Sequence, residues 1–300
     1  MDNQIKINFA FFGSSQFSVI TLDEFYRRGL IPSYIVTTQD KPQGRKMIMT
    51  PNVVKQWANE KSIKVYDPAK LDPSFIAELN ALQSASEKSE NTKSANSKCD
   101  VFIVASYGKI IPESVLNIPP RKTLNIHPSL LPKYRGPSPL PTTILDDTKH
   151  TGVTIMRLDK EMDHGPIIAQ KDVTINEWPT YEKFEEKMAI IGASLLAEIL
   201  SKWINGEISE KEQDHAIATY TKKITKEDGL LDLNGDAYTN FRKIQAFHEW
   251  PQAYFFIEHK EKKIRVKITE AVFTNNELKI SRVIPEGGKE ISYEDFLRGY

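Results

Sequence analysis

The opening stretch of the chain carries the pattern that most constrains its fold. An apolar run over residues 5–12 ends at Gly13, a helical pattern covers residues 17–28, and a second apolar run covers residues 34–38. Two short buried strands joined by a helix form a β-α-β unit, in which the strands run parallel. The chain is therefore predicted to begin an α/β fold with a Rossmann-like, mostly parallel sheet.

The same alternation of strands and helices continues along the chain. The predicted strands cover residues 63–66, 101–105, 123–126 and 153–158, and the predicted helices cover residues 50–61, 74–82 and 180–205. A first domain is therefore expected over residues 1–206. Residues 83–98 consist almost entirely of small and charged side chains, which predicts a low-complexity surface insertion in that domain.

The last part of the chain has a different texture. The predicted helix covers residues 237–247, and the predicted strands cover residues 253–258, 263–273 and 277–283. Alternating apolar and polar residues are typical of antiparallel strands with one buried face. We expect a linker at residues 207–218 and a small β-rich domain at 219–300, with Trp250 and Tyr254 in its core.

Charge and cysteine content exclude several function classes. The chain carries 40 Lys and Arg against 40 Asp and Glu, so it is not a general polyanion binder, although a local basic patch is compatible with this balance. The single cysteine, Cys99, excludes a disulfide within the chain and a cysteine-rich zinc site. Neither a secretory leader nor an apolar run of about 18 residues is recognisable, so no membrane association and a cytoplasmic location are expected.

A polar pair stands at the end of the strand predicted near residue 126. Asn125 and His127 are two residues apart, so on a strand their side chains lie on the same face. Asp163 follows in a later loop that is bounded by Gly165. Polar groups at the carboxyl ends of parallel strands commonly form the binding site of an α/β protein. We therefore expect these three polar side chains to meet there.

An amide, an imidazole and a carboxylate can carry out acyl transfer without a covalent enzyme intermediate. His127 would take or steer the proton of an attacking amine, and Asn125 would donate a hydrogen bond to the oxyanion. Asp163 would orient the imidazole or relay protons through water. No nucleophilic elbow is recognisable and the histidines lack metal-ligand spacing, so no metal is expected. The alternative is that the polar pair serves only the turn.

Several motifs surround these residues. They are FFG at residues 11–13, SYGKIIP at 106–112, LNIHPSLLPKYRG at 124–136, TGVTIM at 151–156 and DHG at 163–165. Together they resemble the 10-formyltetrahydrofolate-dependent formyltransferases. The resemblance implies that Asn125, His127 and Asp163 are catalytic and that 10-formyltetrahydrofolate is the co-substrate. It also implies two folate-contacting loops, formed by Ser106, Tyr107 and Gly108 and by Ser129, Leu130, Leu131 and Pro132.

Two further regions resemble the branch of that family that acts on initiator methionyl-tRNA. The segment KPQGRK at residues 41–46 resembles a basic loop that approaches the acceptor end of tRNA, which implies contacts by Arg45 and Lys46. Residues 219–224 resemble the start of an OB-like, tRNA-binding domain. The cations expected to contact phosphates there are Lys222, Lys223, Lys263 and Arg265. In both regions an ordinary solvated surface is the alternative.

Three functions compete on this basis. The first is formyl transfer to initiator methionyl-tRNA. The second is formyl transfer to an amino-sugar nucleotide by a sugar N-formyltransferase, which would share the catalytic residues and can carry a similar second domain. The third is an inactive module that binds RNA or folate, which the intact Asn125, His127 and Asp163 disfavour. A monomer is expected.

Overall fold

The structure, a computed structural model, describes residues 7–43, 47–84, 98–259 and 261–299. Two of the predicted features therefore lie outside the described residues. They are the tRNA contacts of Arg45 and Lys46 and the part of the predicted insertion between residues 85 and 97. The remaining predicted site residues are all described.

The chain divides into two compact units, each assembled from separate segments. The first unit contains Met1–Arg135, Gly152–Asp172 and Glu186–Thr219. The second unit contains Gly136–Thr151, Val173–Glu185 and Tyr220–Tyr300. The domain limits expected from the sequence, at residues 1–206, 207–218 and 219–300, stay a prediction.

The larger sheet matches the predicted fold class. In the described part of the chain, its strands and one separate hairpin are β1 (Phe9–Phe12), β2 (Tyr34–Val36), β3 (Lys41–Gln43), β4 (Ile48–Thr50), β5 (Val65–Tyr66), β6 (Val101–Val104), β7 (Thr123–His127), β8 (His150–Arg157) and β9 (Ile167–Thr174). Seven of these strands form one sheet in the order β5-β2-β1-β6-β7-β8-β9, while β3 pairs with β4. The first five strands in this order, β5, β2, β1, β6 and β7, run parallel to one another, and β8 runs antiparallel to β7. The mostly parallel, Rossmann-like sheet is confirmed.

Helices accompany the strands throughout. They are α1 (Gln16–Arg27), α2 (Val53–Glu60), α3 (Pro73–Ser84), α4 (Glu113–Leu116), α5 (Pro139–Leu145), α6 (Tyr181–Asn205), α7 (Ala237–Ala246) and α8 (Tyr293–Gly299). Helix α2 begins later than predicted, because Thr50 pairs in the β3–β4 hairpin and the Asn52 side chain accepts the amide of Lys55 as an N-cap. Gln83 belongs to α3 and not to an insertion, since its amide exchanges two hydrogen bonds with the backbone of Cys99.

A tight turn joins β1 to α1 at the carboxyl edge of the sheet. Gly13 is required there, because a Cβ atom would lie 2.6 Å from the Phe11 ring and from the Ser18 hydroxyl. The Ser18 hydroxyl accepts the backbone amides of Ser14 and Ser15 and donates to the Ala105 carbonyl at 2.6 Å. The turn is thereby attached to the end of β6, where a predicted ligand loop begins.

Helix α6 packs its apolar side into the protein. Its length and apolar composition would allow it to cross a membrane, although no such stretch was expected from the sequence. Of its most apolar 18 residues, 39% are buried in the protein. Its buried residues include Met188, Leu196 and Leu200. At Gly192 the helix approaches β7 so closely that a Cβ atom would lie 2.4 Å from Ile126. This close packing is typical of a core helix.

The second unit contains a small antiparallel sheet. Its strands are β10 (Tyr254–His259), β11 (Lys262–Thr274), β12 (Glu277–Pro285) and β13 (Ile291–Ser292), in that order. Phe255, Val266 and Phe296 belong to its core. This sheet confirms the predicted β-rich C-terminal part. Tyr254 is buried as expected, but Trp250 is 54% exposed because it lies in the turn that follows α7.

Candidate active site

Strand β7 presents the predicted polar pair at the middle of the sheet. Asn125 is paired with Val104 of β6 and with Met156 of β8, and His127 is paired with Thr154 of β8. Both side chains lie on one face of the strand because successive side chains alternate. Both residues are buried, which removes the competition of bulk water for their hydrogen bonds.

The His127 imidazole lies between a carbonyl group and a carboxylate. Its Nε2 atom is 2.9 Å from the Tyr134 carbonyl oxygen, and its Nδ1 atom is 3.7 Å from Asp163 Oδ1. A carbonyl can only accept, so Nε2 carries a hydrogen and Nδ1 presents the lone pair of the neutral ring. The nitrogen that can take a proton therefore faces the carboxylate that would stabilise the resulting imidazolium.

The turn that carries Asp163 has a constrained backbone. Asp163 has a φ of 51°, in the left-handed region that few residues other than glycine adopt. Gly165 follows because a Cβ atom there would lie 2.1 Å from the Arg157 carbonyl oxygen. The side-chain nitrogen Nε2 of Gln213 donates to the Asp163 and Gly165 carbonyls. The carboxylate therefore stands on a backbone that is held in place from several sides.

The loop Ser129 to Pro132 is held by buried hydrogen bonds. The Thr154 hydroxyl donates to the Ser129 carbonyl at 2.7 Å and accepts the Leu131 amide at 3.1 Å. Gln170 donates to the Leu131 carbonyl at 2.9 Å. The Ser129 hydroxyl is itself buried and donates to the Lys133 carbonyl, so this side chain supports the loop. Leu130 and Pro132 are half-buried and remain available to a ligand.

The other predicted folate loop follows β6. Ser106 and Gly108 are exposed and both have a left-handed φ. Between them, the Tyr107 ring packs edge to face on Phe12 in the core, and burial raises the pKa of its phenol to about 12. Its hydroxyl makes no hydrogen bond within the described chain. The Tyr107 carbonyl accepts from the Ser14 hydroxyl at 2.9 Å, so Tyr107 supports this loop with both its ring and its backbone.

Three residues of the site were not identified from the sequence. Tyr134 supplies the carbonyl that holds His127, Gln213 holds the Asp163 turn, and Thr154 holds the Ser129 loop. Tyr134 lies in the LNIHPSLLPKYRG motif, which was a usable signal. Gln213 lies in the segment predicted as a linker, although this segment pairs with the main sheet through Lys211 and Ile167.

Within the described ranges, no group of three or more His, Cys, Asp and Glu side chains is arranged to hold a metal ion. His164 and His215 lie close together, but their rings are stacked with centroids 4.0 Å apart. Nδ1 of His164 is directed at Asp159 and Nδ1 of His215 at Arg135. Both imidazoles thus take part in polar contacts around the Asp163 turn.

The predicted tRNA-binding cations of the second unit lie on exposed or half-exposed positions. The register of β10 and β11 places Lys263 opposite Glu258 and Arg265 opposite Phe256. The Lys263 ammonium lies 4.4 Å from the centre of the Phe256 ring, and the Arg265 guanidinium lies 5.5 Å from that of Tyr254. We call Tyr254, Phe256, Lys263, Arg265 and Lys267 the basic face. Alternation puts them, together with Glu258, on the side of the sheet away from the core residues Phe255 and Val266, and Tyr254 is buried on that side.

Lys222 and Lys223 occupy exposed positions at the start of the last segment of the second unit. Their exposure is compatible with phosphate contacts and equally with a solvated surface. Arg45 and Lys46 cannot be added to this comparison because they lie outside the described residues.

Comparisons with known proteins agree with these observations. The family described as formyl transferase matches residues 6–200, and the family described as formyl transferase, C-terminal domain, matches residues 223–277. The methionyl-tRNA formyltransferase of Chloroflexus aggregans is 41% identical, over 82% of this chain and 75% of its own length. That of Thermodesulfovibrio yellowstonii is 33% identical, over 96% of this chain and 94% of its own length.

Solved structures share the fold. The N-formyltransferase from Helicobacter canadensis, crystallised with folinic acid and dTDP-3-aminofucose, has a TM-score of 0.61 and covers 90% of this chain and 89% of its own. HypX from Aquifex aeolicus, crystallised with tetrahydrofolic acid, has a TM-score of 0.62 and covers 97% of this chain and 46% of its own. These proteins are 19% and 17% identical to the chain, so they support its architecture alone.

Proposed function

The chain belongs to the methionyl-tRNA formyltransferases of the formyl transferase family, and from this premise we propose how its residues perform the transfer. The formyl group passes from 10-formyltetrahydrofolate to the α-amino group of methionyl initiator tRNA. The observation that carries the proposal is the pair of buried residues Asn125 and His127 beside the partly buried Asp163, in which Nδ1 of the imidazole faces the carboxylate at 3.7 Å.

The reaction begins when the neutral amine attacks the formyl carbon and a new C–N bond forms. His127 takes the proton that the amine nitrogen loses, at Nδ1, and Asp163 stabilises the positive charge of the ring. The Asn125 carboxamide donates a hydrogen bond to the oxyanion of the tetrahedral intermediate. The proton then passes to the departing folate nitrogen as its bond to the formyl carbon breaks. The products are formylmethionyl-tRNA and tetrahydrofolate.

The two loops beside the strand ends supply a site for the folate. Leu130 and Pro132 offer apolar surface, while Ser106 and Gly108 are exposed at a turn whose Ser106 carbonyl is fixed by the Ser14 amide. Such a combination of apolar walls with a few fixed polar groups suits a flat heterocycle. The buried supports of these loops, Thr154 and Ser18, keep both walls in place without the ligand.

The basic face supports a nucleic acid as the acceptor. Lys263 and Arg265 can each contact a phosphate while they lie beside aromatic rings. A tRNA acceptor is also supported by the relatives, which are named methionyl-tRNA formyltransferases and match the chain over both of its parts. An amino-sugar nucleotide stays the alternative acceptor expected from the sequence, and the solved structures of enzymes crystallised with such sugars are too distant in sequence to favour it. A cytoplasmic location and a monomeric state stay predictions.

An acceptor competition tests the proposal. The purified protein is supplied with 10-formyltetrahydrofolate labelled in the formyl group, together with methionyl initiator tRNA and a dTDP-amino-sugar. We expect label in the tRNA fraction, and none on uncharged tRNA, which lacks the amine. Label in the sugar nucleotide alone would replace the proposed acceptor, and no transfer to either would favour an inactive binding module.

A further inference from the structure

A fully buried arginine lies next to the carbonyl that holds the catalytic histidine. Arg135 is 1% exposed, and its Nε and Nη2 atoms donate to Gln213 Oε1 at 3.1 and 2.6 Å. Nη2 is also 2.8 Å from Nδ1 of His215. A guanidinium only donates, so it fixes which end of the Gln213 carboxamide faces it. The amino end of that carboxamide must point the other way.

That amino end reaches the turn that carries the catalytic carboxylate. Gln213 Nε2 donates to the Asp163 carbonyl at 2.9 Å and to the Gly165 carbonyl at 2.7 Å. One side chain therefore binds both ends of a turn whose first residue has a left-handed φ. Because Gln213 is buried, water does not compete for these two bonds. The position of the Asp163 backbone depends on this amide.

The residue before Arg135 controls the histidine. The Tyr134 carbonyl accepts from Nε2 of His127 at 2.9 Å. The Tyr134 amide donates to the Thr219 hydroxyl at 2.8 Å, and the Arg135 amide donates to the Thr219 carbonyl at 2.9 Å. The backbone at Tyr134 and Arg135 is thus anchored. This backbone holds the His127 imidazole through the Tyr134 carbonyl. It also holds the Asp163 turn, because the Arg135 guanidinium binds Gln213, which binds that turn.

We propose that Arg135 and Gln213 are positioning residues that set the approach of the Asp163 carboxylate to Nδ1 of His127. The inference rests on the proposed roles of His127 and Asp163. The two atoms are 3.7 Å apart here, slightly beyond hydrogen-bond distance, so a small shift of the turn decides whether a charge-assisted bond forms when the ring is protonated. Neither Arg135 nor Gln213 takes part in proton transfer itself.

Gln213→Glu is the sharpest test. A carboxylate can still accept both hydrogen bonds of Arg135, so the buried cation stays paired, but it cannot donate to the Asp163 and Gly165 carbonyls. We expect kcat to fall by about 10- to 100-fold, because a displacement near 1 Å is enough for such a loss. The KM values for both substrates should stay within about threefold of wild type.

A double variant separates positioning from general destabilisation. If Gln213 acts through the carboxylate, Gln213→Glu placed in an Asp163→Asn background should lower kcat by less than about threefold more. The matched control is Gln56→Glu at an exposed position of helix α2. It also breaks a hydrogen bond from a glutamine side-chain amide to a backbone carbonyl, and it should leave kcat unchanged.

Two outcomes would overturn the inference. One is a folded Gln213→Glu protein with wild-type kcat, and the other is a full multiplicative loss in the Asp163→Asn background. If Gln213→Glu does not fold, Gln213→Met combined with Arg135→Met carries the same expectations, since it removes the amide donor and the buried cation together and leaves no charge without its acceptor. Loss of activity in His127→Ala combined with normal kcat in the Gln213 variants would reject the positioning role while leaving the proposed function intact.

Discussion

The carboxyl end of strand β7 and the basic face of β10 and β11 both collect polar side chains, but under opposite conditions. Asn125 and His127 are buried, and the imidazole is held at one ring nitrogen by a backbone carbonyl. Lys263 is exposed and Arg265 is half-exposed, and both lie beside aromatic rings. The difference separates a region that must fix geometry from one that must attract charge.

Physical chemistry explains why neither arrangement could replace the other. Catalysis by hydrogen bonding gains most where water is excluded and the donors are already oriented. Phosphate binding gains from charges that remain solvated until counterions are released, and burying an unpaired lysine would cost several kcal/mol, of the order estimated for a charge in a protein interior. Substitutions in the two regions should therefore change different kinetic constants.

The largest effect is expected at His127. His127→Ala removes the group that takes the proton, so kcat should fall by about 10²- to 10⁴-fold while binding of methionyl-tRNA is retained. Single-turnover formyl transfer and a tRNA-binding assay measure the two quantities separately. Turnover like that of wild type would contradict the role of His127 in proton transfer. A parallel loss of tRNA binding would show that the two regions do not affect different kinetic constants.

Asn125→Ala should have the next largest effect. The carboxamide does not titrate, so its loss removes only stabilisation of the oxyanion, for which precedents give about 10²- to 10³-fold in kcat. The pH dependence of kcat should keep its shape, because the titrating groups are unchanged. A changed pH profile with a small loss of rate would mean that Asn125 orients His127 instead of contacting the oxyanion.

Local sequence patterns were sufficient to predict much of the arrangement at the carboxyl end of β7. The alternation of apolar runs and helices predicted the parallel sheet, and the spacing of Asn125 and His127 predicted their common face. The supports of the edge could not be predicted in this way. Arg135 and Gln213 are separated by 78 residues, so their contact depends on the tertiary fold and not on any local period.

Other errors have similarly physical causes. The β3–β4 hairpin could not be predicted because its strands are three residues long and the two apolar residues of β4, Ile48 and Met49, are both exposed, so no alternation of apolar and polar residues marks it. Trp250 was expected in the core on the basis of its size, yet a turn after α7 exposes it. Large apolar residues favour burial on average, but a turn can hold one in solvent.

On the basic face, the expected effect is smaller and of a different kind. Replacing Lys263 and Arg265 together by alanine should raise KM for methionyl-tRNA about tenfold and reduce the salt slope of binding by about two, at unchanged kcat. Lys262→Ala is the control for position, because it removes one positive charge from the opposite side of β11, where the double variant removes two from the basic face. A KM raised about threefold by Lys262→Ala, half of the double variant's effect on a logarithmic scale, would indicate a general charge effect and not a defined face.

A third region holds a well hydrogen-bonded carboxylate that lies apart from the proposed catalytic residues. In the second unit, Asp147 Oδ1 accepts from Trp178 Nε1 at 2.7 Å and from the Tyr238 hydroxyl at 3.0 Å. Burial opposes the charge of this carboxylate, but these hydrogen bonds and the nearby Lys149 and Arg242 outweigh it, so its pKa is lowered. The network contains none of the proposed catalytic residues.

Asp147→Asn should therefore affect stability and leave kcat unchanged. A carboxyl whose pKa is lowered by folding stabilises the protein above its unfolded pKa, about 3.9, and loses that contribution as the pH falls through the folded pKa. At pH 7 the variant should lose about 1 kcal/mol of unfolding free energy, because the amide oxygen still accepts hydrogen bonds but carries no charge.

Urea unfolding at several pH values should show the difference from wild type shrinking below about pH 4. A difference that stays constant down to pH 3 would assign the loss to packing, and a fall in kcat would show that Asp147 contributes to the reaction, as Asp163 is proposed to do.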